Sequence, residues 1–317
     1  MKLAVLLFLC MLTVGAGELS PIELDTSVSR GLAFLAHQQQ SDGSFVGFDD
    51  PGPRSAPTAI ALLAFLGCGH TPAAGQYNLV VHNALDFLLR QAPDDGYLGR
   101  ADGSGMVGQA LITIALAESY GVENDAWQRK QLESTLQNAL QAILAMQDKS
   151  PGAKGGGWGA DGQGGGRLAT TAWAVLALRS LQDAGIAHPQ SALRRASEFA
   201  RSCLVVHQGF SDTDQPPTTA STVAGAILLL TERGTSWDAT VRLLPDLKIP
   251  AASKDLFQTE YMLAYCGLRM HTPVAQQVWG SLQHQQAEDG SWGTVPATAT
   301  AALTLSMRYH FLPLFEQ

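Results

Sequence analysis

Two carboxylates one residue apart, Asp212 and Asp214, stand just before a small-residue, apolar segment and are the chain's first candidates for chemistry. A carboxylic acid donates a proton efficiently when its protonated oxygen is well populated and aimed at the reacting atom. Asp is also favoured in turns and at helix N-caps, so a structural role is the alternative. The pair therefore predicts either a proton donor or a helix cap.

Three other acids, Glu118, Glu232 and Glu260, lie on or at the ends of segments that read as apolar helices. Two carboxylates that face each other across a groove are the usual equipment of a glycoside hydrolase. Each of the three is equally explained as a charge at a helix end or as a satisfied buried polar group. They indicate a carbohydrate-active enzyme only if a groove brings two acids together.

The cysteines and histidines predict no metal site. Of the four cysteines, Cys10 falls in the N-terminal segment that we expect to be cleaved. The three that remain, Cys68, Cys203 and Cys266, are odd in number and widely spaced, so they are not a disulfide framework, and whether any two of them pair stays open. Cys68-Gly69-His70 is the one close Cys/His pair, and one pair cannot fill a tetrahedral zinc site. No P-loop, Gly-x-Ser-x-Gly or His-Glu-x-x-His sequence occurs, and we expect no cofactor.

The N-terminus has the pattern of a secretion signal. Lys2 precedes an apolar run from Leu3 to Val14, and the small residues Gly15 and Ala16 follow. The run is shorter than the ~20 residues of a membrane span. We therefore predict a signal peptide over 1–16, export to the periplasm or the medium, no transmembrane span, and a single domain over 17–317.

The bulk composition predicts a folded protein with a large core. Hydrophobic residues make up 46% of the chain and charged residues 15%, with a formal net charge of -8. That is too apolar for disorder, and an acidic chain without a Lys/Arg cluster gives no reason to expect nucleic acid as a partner.

A unit of two helices joined by a Gly-aromatic turn recurs along the chain. The first unit covers 27–40, Asp42-Gly43-Ser44-Phe45 and 56–66, and the last covers 274–286, Asp289-Gly290-Ser291-Trp292 and 297–309. A middle unit turns at Gly157-Trp158-Gly159 after a glycine-rich stretch that we interpret as a loop over one mouth of the fold. Gln39 and Gln286 precede the first and last turns and can satisfy carbonyls there. The fifth unit, 237–247 and 256–270, has no such turn.

The two helices of a unit differ in character. The first carries an apolar stripe, as at Leu85, Leu88 and Leu89, whereas the second is apolar around most of its circumference, as in 298–303. Half-buried helices alternating with fully buried ones predict an all-α fold, a single (α/α)6 toroid of about six helix pairs with an apolar inner ring inside an outer ring. An open solenoid is the alternative, but its end units are usually atypical, and here the two end units match.

The turns resemble those of a known superfamily. Gln-x-x-x-Gly-x-aromatic, at Gln39 to Phe45 and at Gln286 to Trp292, is similar to the Gln–Trp motif of squalene-hopene and oxidosqualene cyclases, and residues 169–178 resemble the start of an inner helix in the same superfamily. The resemblance covers nearly all of the mature chain. It implies the toroid, which also serves protein prenyltransferases and thioester domains, and it fixes no function.

The resemblance also implies where acid chemistry would lie. Class II terpene cyclases protonate their substrate with an Asp-x-Asp-Asp sequence, to which Asp212 and Asp214 correspond, with Asp214 as proton donor and Gln215 in place of the last acid. The zinc pair of the prenyltransferases and the thioester sequence are absent. We expect a non-catalytic exported toroid that binds a lipid, an isoprenoid or an exported protein. A degenerate cyclase that uses Asp214 and a carbohydrate-active toroid are the alternatives.

Overall fold

The computed structural model describes residues 21–47, 54–100, 102–152, 155–162, 165–206, 208–230 and 256–313. Over these ranges the chain forms eleven α-helices: α1 (Pro21–Gln38), α2 (Ser55–Gly67), α3 (Asn78–Gln91), α4 (Gly105–Val122), α5 (Ala126–Met146), α6 (Leu168–Asp183), α7 (Gln190–Ser202), α8 (Thr219–Leu230), α9 (Leu256–Arg269), α10 (Val274–Gln285) and α11 (Val295–Ser306). A 3-10 turn, Met307–Tyr309, follows α11.

Two predicted segments lie outside the described residues: the signal peptide over 1–16 and the first helix of the fifth unit over 237–247. Among the helices that the structure describes, none has both the length and the hydropathy to span a bilayer.

Six helices form a closed inner ring in the order α2, α4, α6, α8, α9 and α11, because each packs against the next and α11 packs against α2. These helices are buried around most of their surface. In α2, every residue from Pro57 to Gly67 is buried. A helix that is apolar on all sides must be enclosed on all sides, and here the outer helices enclose it. The predicted (α/α)6 toroid is confirmed.

The outer helices α1, α3, α5, α7 and α10 pack against the outside of the ring. In α3 the buried residues include Val81, Ala84, Leu85 and Leu88, which recur at the spacing of one helix face. The first and last of the described segments meet here as well, since α1 packs against α11 and Asp25 of α1 bonds to Arg308 and to the Tyr309 hydroxyl. The ring is therefore closed by the first and last helices of the fold.

The inner helices are parallel, so the toroid has two different mouths. The carboxylate of Asp102, just before α4, accepts a hydrogen bond from Ala56 N in the first turn of α2 (3.0 Å). The Ala160 carbonyl, before α6, accepts one from Met106 N of α4 (2.8 Å). The N-terminal ends of the inner helices thus lie side by side at one mouth, with the Gly-aromatic turns, and we call it the turn mouth. The opposite mouth, where the inner helices end, we call the cleft mouth.

One small departure from the all-helical prediction occurs between α7 and α8. Leu204–Val205 (β1) and Gly209–Phe210 (β2) pair as a two-stranded antiparallel ribbon. The reversal delivers the buried ring of Phe210 against Gly225 of α8, where an added Cβ would lie 2.3 Å from that ring. The strands are too short to have given an alternating pattern in the sequence.

Candidate functional site

The glutamines of the turns bond neighbouring outer helices together. Gln39 Nε2 donates to the carbonyl of the turn glycine four residues on (3.1 Å) and to Val80 O of α3 (2.9 Å). Gln286 Nε2 makes the same two bonds, to its own turn glycine (2.8 Å) and to Ser27 O of α1 (2.9 Å). The glutamine thus satisfies carbonyls, as expected, and the last turn is bonded to the first helix.

Both the backbone conformation and the packing require glycine at the turns. Gly43 and Gly290 have φ of +90° and +88°, a region that side-chain-bearing residues rarely adopt. A Cβ at these positions would lie 2.2 Å from Asn83 O and 2.7 Å from Arg30 O, on the next outer helix. Each turn therefore presses its backbone onto the adjoining helix.

In the middle turn the glycine with a positive φ (+96°) is Gly156. Gln147 Nε2 donates to Gly156 O (2.7 Å) and to Ala192 O of α7 (2.9 Å), in the pattern of the other turns. Gly157 has a different role, since its added Cβ would lie 2.8 Å from the Cα of Gly166. Part of the glycine-rich stretch is therefore closely packed, although it was predicted as a loop over a mouth.

A threonine completes the turn in four of the units, and the sequence analysis missed it. The backbone N–H of the turn aromatic donates to a threonine Oγ1 that belongs to the fourth residue of the inner helix. The pairs are Phe45–Thr58 (2.9 Å), Trp158–Thr171 (2.9 Å), Phe210–Thr222 (3.3 Å) and Trp292–Thr298 (2.9 Å). Thr259 holds the same place in α9 and is buried. The recurrence of Thr followed by a small apolar residue was the available signal.

Asp212 is a helix cap in this structure. Its Oδ2 accepts a hydrogen bond from Leu168 N at the start of α6 (2.7 Å) and lies 3.3 Å from Arg167 Nε. Asp102 caps α2 in the same way. Both partners of Asp212 are hydrogen-bond donors, so the carboxylate has a positional role in the ring.

Asp214 lies in different surroundings from Asp212. Its side chain is exposed at the turn mouth, in the loop that precedes α8. The two acids suggested as a catalytic pair thus lie in one loop, but one is engaged with α6 and the other faces solvent.

Two aromatic side chains meet inside the ring. Trp173 of α6 stacks on Tyr261 of α9, with ring centroids 5.3 Å apart and planes 18° from parallel. Because α8 stands between α6 and α9 in the ring, these side chains meet across its interior, where both are buried. Burial raises the pKa of the Tyr261 hydroxyl well above its usual value, and the negative charge of Glu118, from α4 on the far side, raises it further.

A cleft of about 270 Å³ opens at the cleft mouth. It lies between the ends of α2, α4 and α6 and is bordered by the segment that follows the last 3-10 turn. Its lining residues are Leu66, Gly69, Thr71, Ala117, Glu118, Gly121, Val122, Ser180, Asp183, Ala184, Phe311, Leu312 and Pro313. Sequence periodicity could not have found it, because it forms where three distant helices end.

Polar groups line the floor and wall of this cleft. Glu118 is only 6% exposed and Ser180 only 1%. The Ser180 hydroxyl has no hydrogen-bond partner in the described part of the chain. Burial raises the pKa of Asp183 above its ordinary value, against the opposing effect of the nearby Arg179 charge. Glu118 and Asp183 are therefore two acids that share one cleft.

The other acids considered for carbohydrate chemistry are elsewhere. Glu260 of α9 is fully buried, with Oε1 3.4 Å from Gln285 Nε2, and burial raises its pKa to about 7. Its Oε2 has no hydrogen-bond partner among the residues that the structure describes. Glu232 lies outside the described residues.

The cysteines are single thiols. Cys68, Cys203 and Cys266 are not joined to one another. Burial raises the pKa of Cys68 to about 12, so this thiol stays protonated and a weak nucleophile. Over the described ranges, no three His, Cys, Asp or Glu side chains come together in a way that could hold a metal ion.

Comparison with known proteins bears on the fold. No protein-family model and no curated protein matches the sequence. Among solved structures, the chain is similar to the type II terpene cyclase MstE from Scytonema, with 17% identity over 92% of this chain and 100% of that one, and a TM-score of 0.56. It is also similar to an α-1,6-mannanase of Salegentibacter sp. HEL1_6, solved as an inactive variant with α-1,6-mannotetrose, at 12% identity over 89% and 98% and a TM-score of 0.64. A third neighbour is an α-amylase from Clostridium perfringens, at 11% identity over 88% and 97% and a TM-score of 0.54.

These likenesses extend over almost the whole of each chain. The terpene cyclase and the mannanase are both α/α toroids and act on unrelated substrates. The fold is shared; the chemistry is not. Function must therefore be argued from the side chains of this chain.

Proposed function

We propose that this protein is an exported, terpenoid-cyclase-like toroid that does no chemistry and binds a ligand at its cleft mouth. The observation that carries the proposal is the buried aromatic pair inside the ring. Trp173 and Tyr261 occupy the interior that a polyprenyl chain would need to enter.

The placement of the candidate acids supports the same conclusion. Asp212 is held by the start of α6 and by Arg167, and Asp214 is exposed. A catalytic acid gains from a water-poor pocket that aims its proton at the reacting atom, and neither geometry supplies one.

The cleft mouth has the features of a binding surface. Val122 is 38% exposed, Trp127 69% and Phe311 58%, and all three lie at helix ends or turns on this side. Large exposed apolar side chains around a concavity are typical of ligand or partner sites. The exposed Leu204 and Val206 belong to the β1–β2 ribbon at the other mouth.

The first test is incubation of the purified mature protein with squalene and shorter polyprenyl substrates, with product analysis by mass spectrometry. We expect no cyclised product from the wild type. Cyclised product that disappears in Asp214→Asn but persists in an exposed control such as Glu133→Gln would establish a one-domain cyclase and refute the proposal.

A carbohydrate-active enzyme is the second candidate, and one observation favours it. Glu118 and Asp183 line the same cleft, and the raised pKa of Asp183 is what a general acid requires. The mannanase likeness supplies a substrate to try. Release of sugar from α-1,6-mannan oligosaccharides that is lost in both Glu118→Gln and Asp183→Asn would favour this candidate over the binding protein.

A further inference from the structure

We infer that the cleft is a binding site for a small amphipathic amine, that is, an organic cation with a compact apolar body. The inference rests on the proposed function and names the ligand class for that site. It stands on the shape of the cleft, on the chemistry of its lining and on one unsatisfied buried hydroxyl.

The charged side chains that line the cleft are all acidic. Glu118 and Asp183 line it, and within the described part of the chain its lining includes no Lys, Arg or His. Ionised carboxylates only accept hydrogen bonds, so they select a ligand group that donates, and an ammonium group does so with opposite charge. Arg179 acts on Asp183 from outside the lining and offsets part of the charge of that wall.

The Ser180 hydroxyl is a second observation, independent of the acidic side chains, that points to a ligand in the cleft. Other buried hydroxyls of the inner helices donate to the carbonyl four residues earlier: Thr113 (2.7 Å), Ser119 (2.8 Å) and Thr304 (2.7 Å). Ser180 is 1% exposed, lines the cleft and has no such partner among the described residues. A buried polar group left without a partner costs about 1–3 kcal/mol, and a ligand donor or acceptor would satisfy it.

Most of the remaining cleft lining is apolar. Leu66, Val122 and Leu312 form walls, and Phe311 stands at the rim with its ring against Gly69. An exposed aromatic ring in the same cleft as two carboxylates favours a cation over a neutral polar group. The volume of about 270 Å³ lies just below the range of drug-sized pockets and suits a ligand of one small ring.

Gly121 supplies a clean way to block the cleft. It lies in α4, lines the cleft, and a Cβ added there would meet no heavy atom within 4 Å. Gly121→Leu should fill the space without disturbing the helix. Gly121→Ala is the matched control, because it makes the same glycine replacement and adds only one methyl group.

The experiment is calorimetric titration of the full mature protein with cyclohexylamine and, in parallel, with its neutral isostere cyclohexanol. We expect cyclohexylamine to bind about tenfold more tightly than cyclohexanol, since one charge-assisted hydrogen bond is worth about that factor. Gly121→Leu should abolish amine binding while Gly121→Ala retains it, and Glu118→Gln and Asp183→Asn should each weaken it.

Three results would overturn the inference: equal binding of the two probes, no binding of the amine, or unchanged binding in folded Gly121→Leu. Failure of the proposed function is recognised separately, by polyprenyl turnover that depends on Asp214 or by sugar release that depends on Glu118 and Asp183. A titration without amine binding therefore removes the ligand class alone.

Discussion

Glu260 gives the sharpest stability prediction, because a buried, ionised carboxylate destabilises the folded state. Its side chain is fully buried in α9, and its pKa is raised from the ordinary 4.5 to about 7. A folded-state pKa above the unfolded one means that the folded protein binds the proton more tightly. The contribution of this group to stability is therefore fully present below pH 4.5 and is lost as the pH rises to about 7.

The size of the effect follows from that difference. Each pKa unit corresponds to about 1.4 kcal/mol, so the ionised group costs the folded state about 3 kcal/mol above pH 7. Glu260→Gln keeps the shape and can still accept the bond from Gln285 Nε2, but it carries no charge. We expect the free energy of unfolding of the variant to exceed that of the wild type by up to about 3 kcal/mol at pH 8 and to match it at pH 4.

The assay is urea denaturation of both proteins across pH 4 to 8, with Glu133→Gln as control. Glu133 is an exposed glutamate of α5 and should show no pH-dependent difference of this kind. A constant gap between the wild type and Glu260→Gln over the whole range, or a gap largest at pH 4, would refute the reasoning.

Three further predictions concern the ring and its caps, and each is measured as a change in the free energy of unfolding. Gln286→Ala should cost about 1–3 kcal/mol, because it removes two hydrogen bonds, and Gln39→Ala should cost a similar amount, since it makes equivalent bonds. Loss of stability in only one of the two would contradict the equivalence of the first and last turns. Asp212→Ala should cost about 1 kcal/mol as the loss of a cap, whereas Asp214→Ala should stay within about 0.5 kcal/mol of the wild type. Gly121→Ala should stabilise the protein by up to about 1 kcal/mol, because a helical glycine is replaced where space is open.

The architecture could be predicted from the sequence because its causes are local. The stripe of α3 and the uniformly apolar α2 follow from residues within one helix, and the turn motif repeats with its glutamine, glycine and aromatic residue. In the middle turn the glycine with positive φ is Gly156, next to the Gly157 that the sequence suggested as the turn glycine, because several consecutive glycines remove the local distinction between them.

The site could not be predicted in the same way, because its causes are not local. The sequence suggested Asp212 as a catalytic acid because its neighbours along the chain resemble a motif. Its hydrogen-bond partner in the structure, Leu168 N, lies on α6, which is distant in sequence. The cleft depends on where α2, α4 and α6 end, and Ser180 is distinguished only by a hydrogen bond that it does not make in the described structure. Repeats predict scaffolds well, and they do not predict the place where one unit differs from the others.

The measurement that tests the binding-scaffold proposal most directly is methyl NMR of the mature protein with a library of small-molecule fragments. Leu66, Val122 and Leu312 carry methyl groups in the cleft lining. We predict that the fragments that bind shift these methyl resonances and that Gly121→Leu removes the shifts. Fragments that instead shift Ile227 or Leu228 of α8, or that bind equally well to Gly121→Leu, would contradict a ligand site at the cleft mouth.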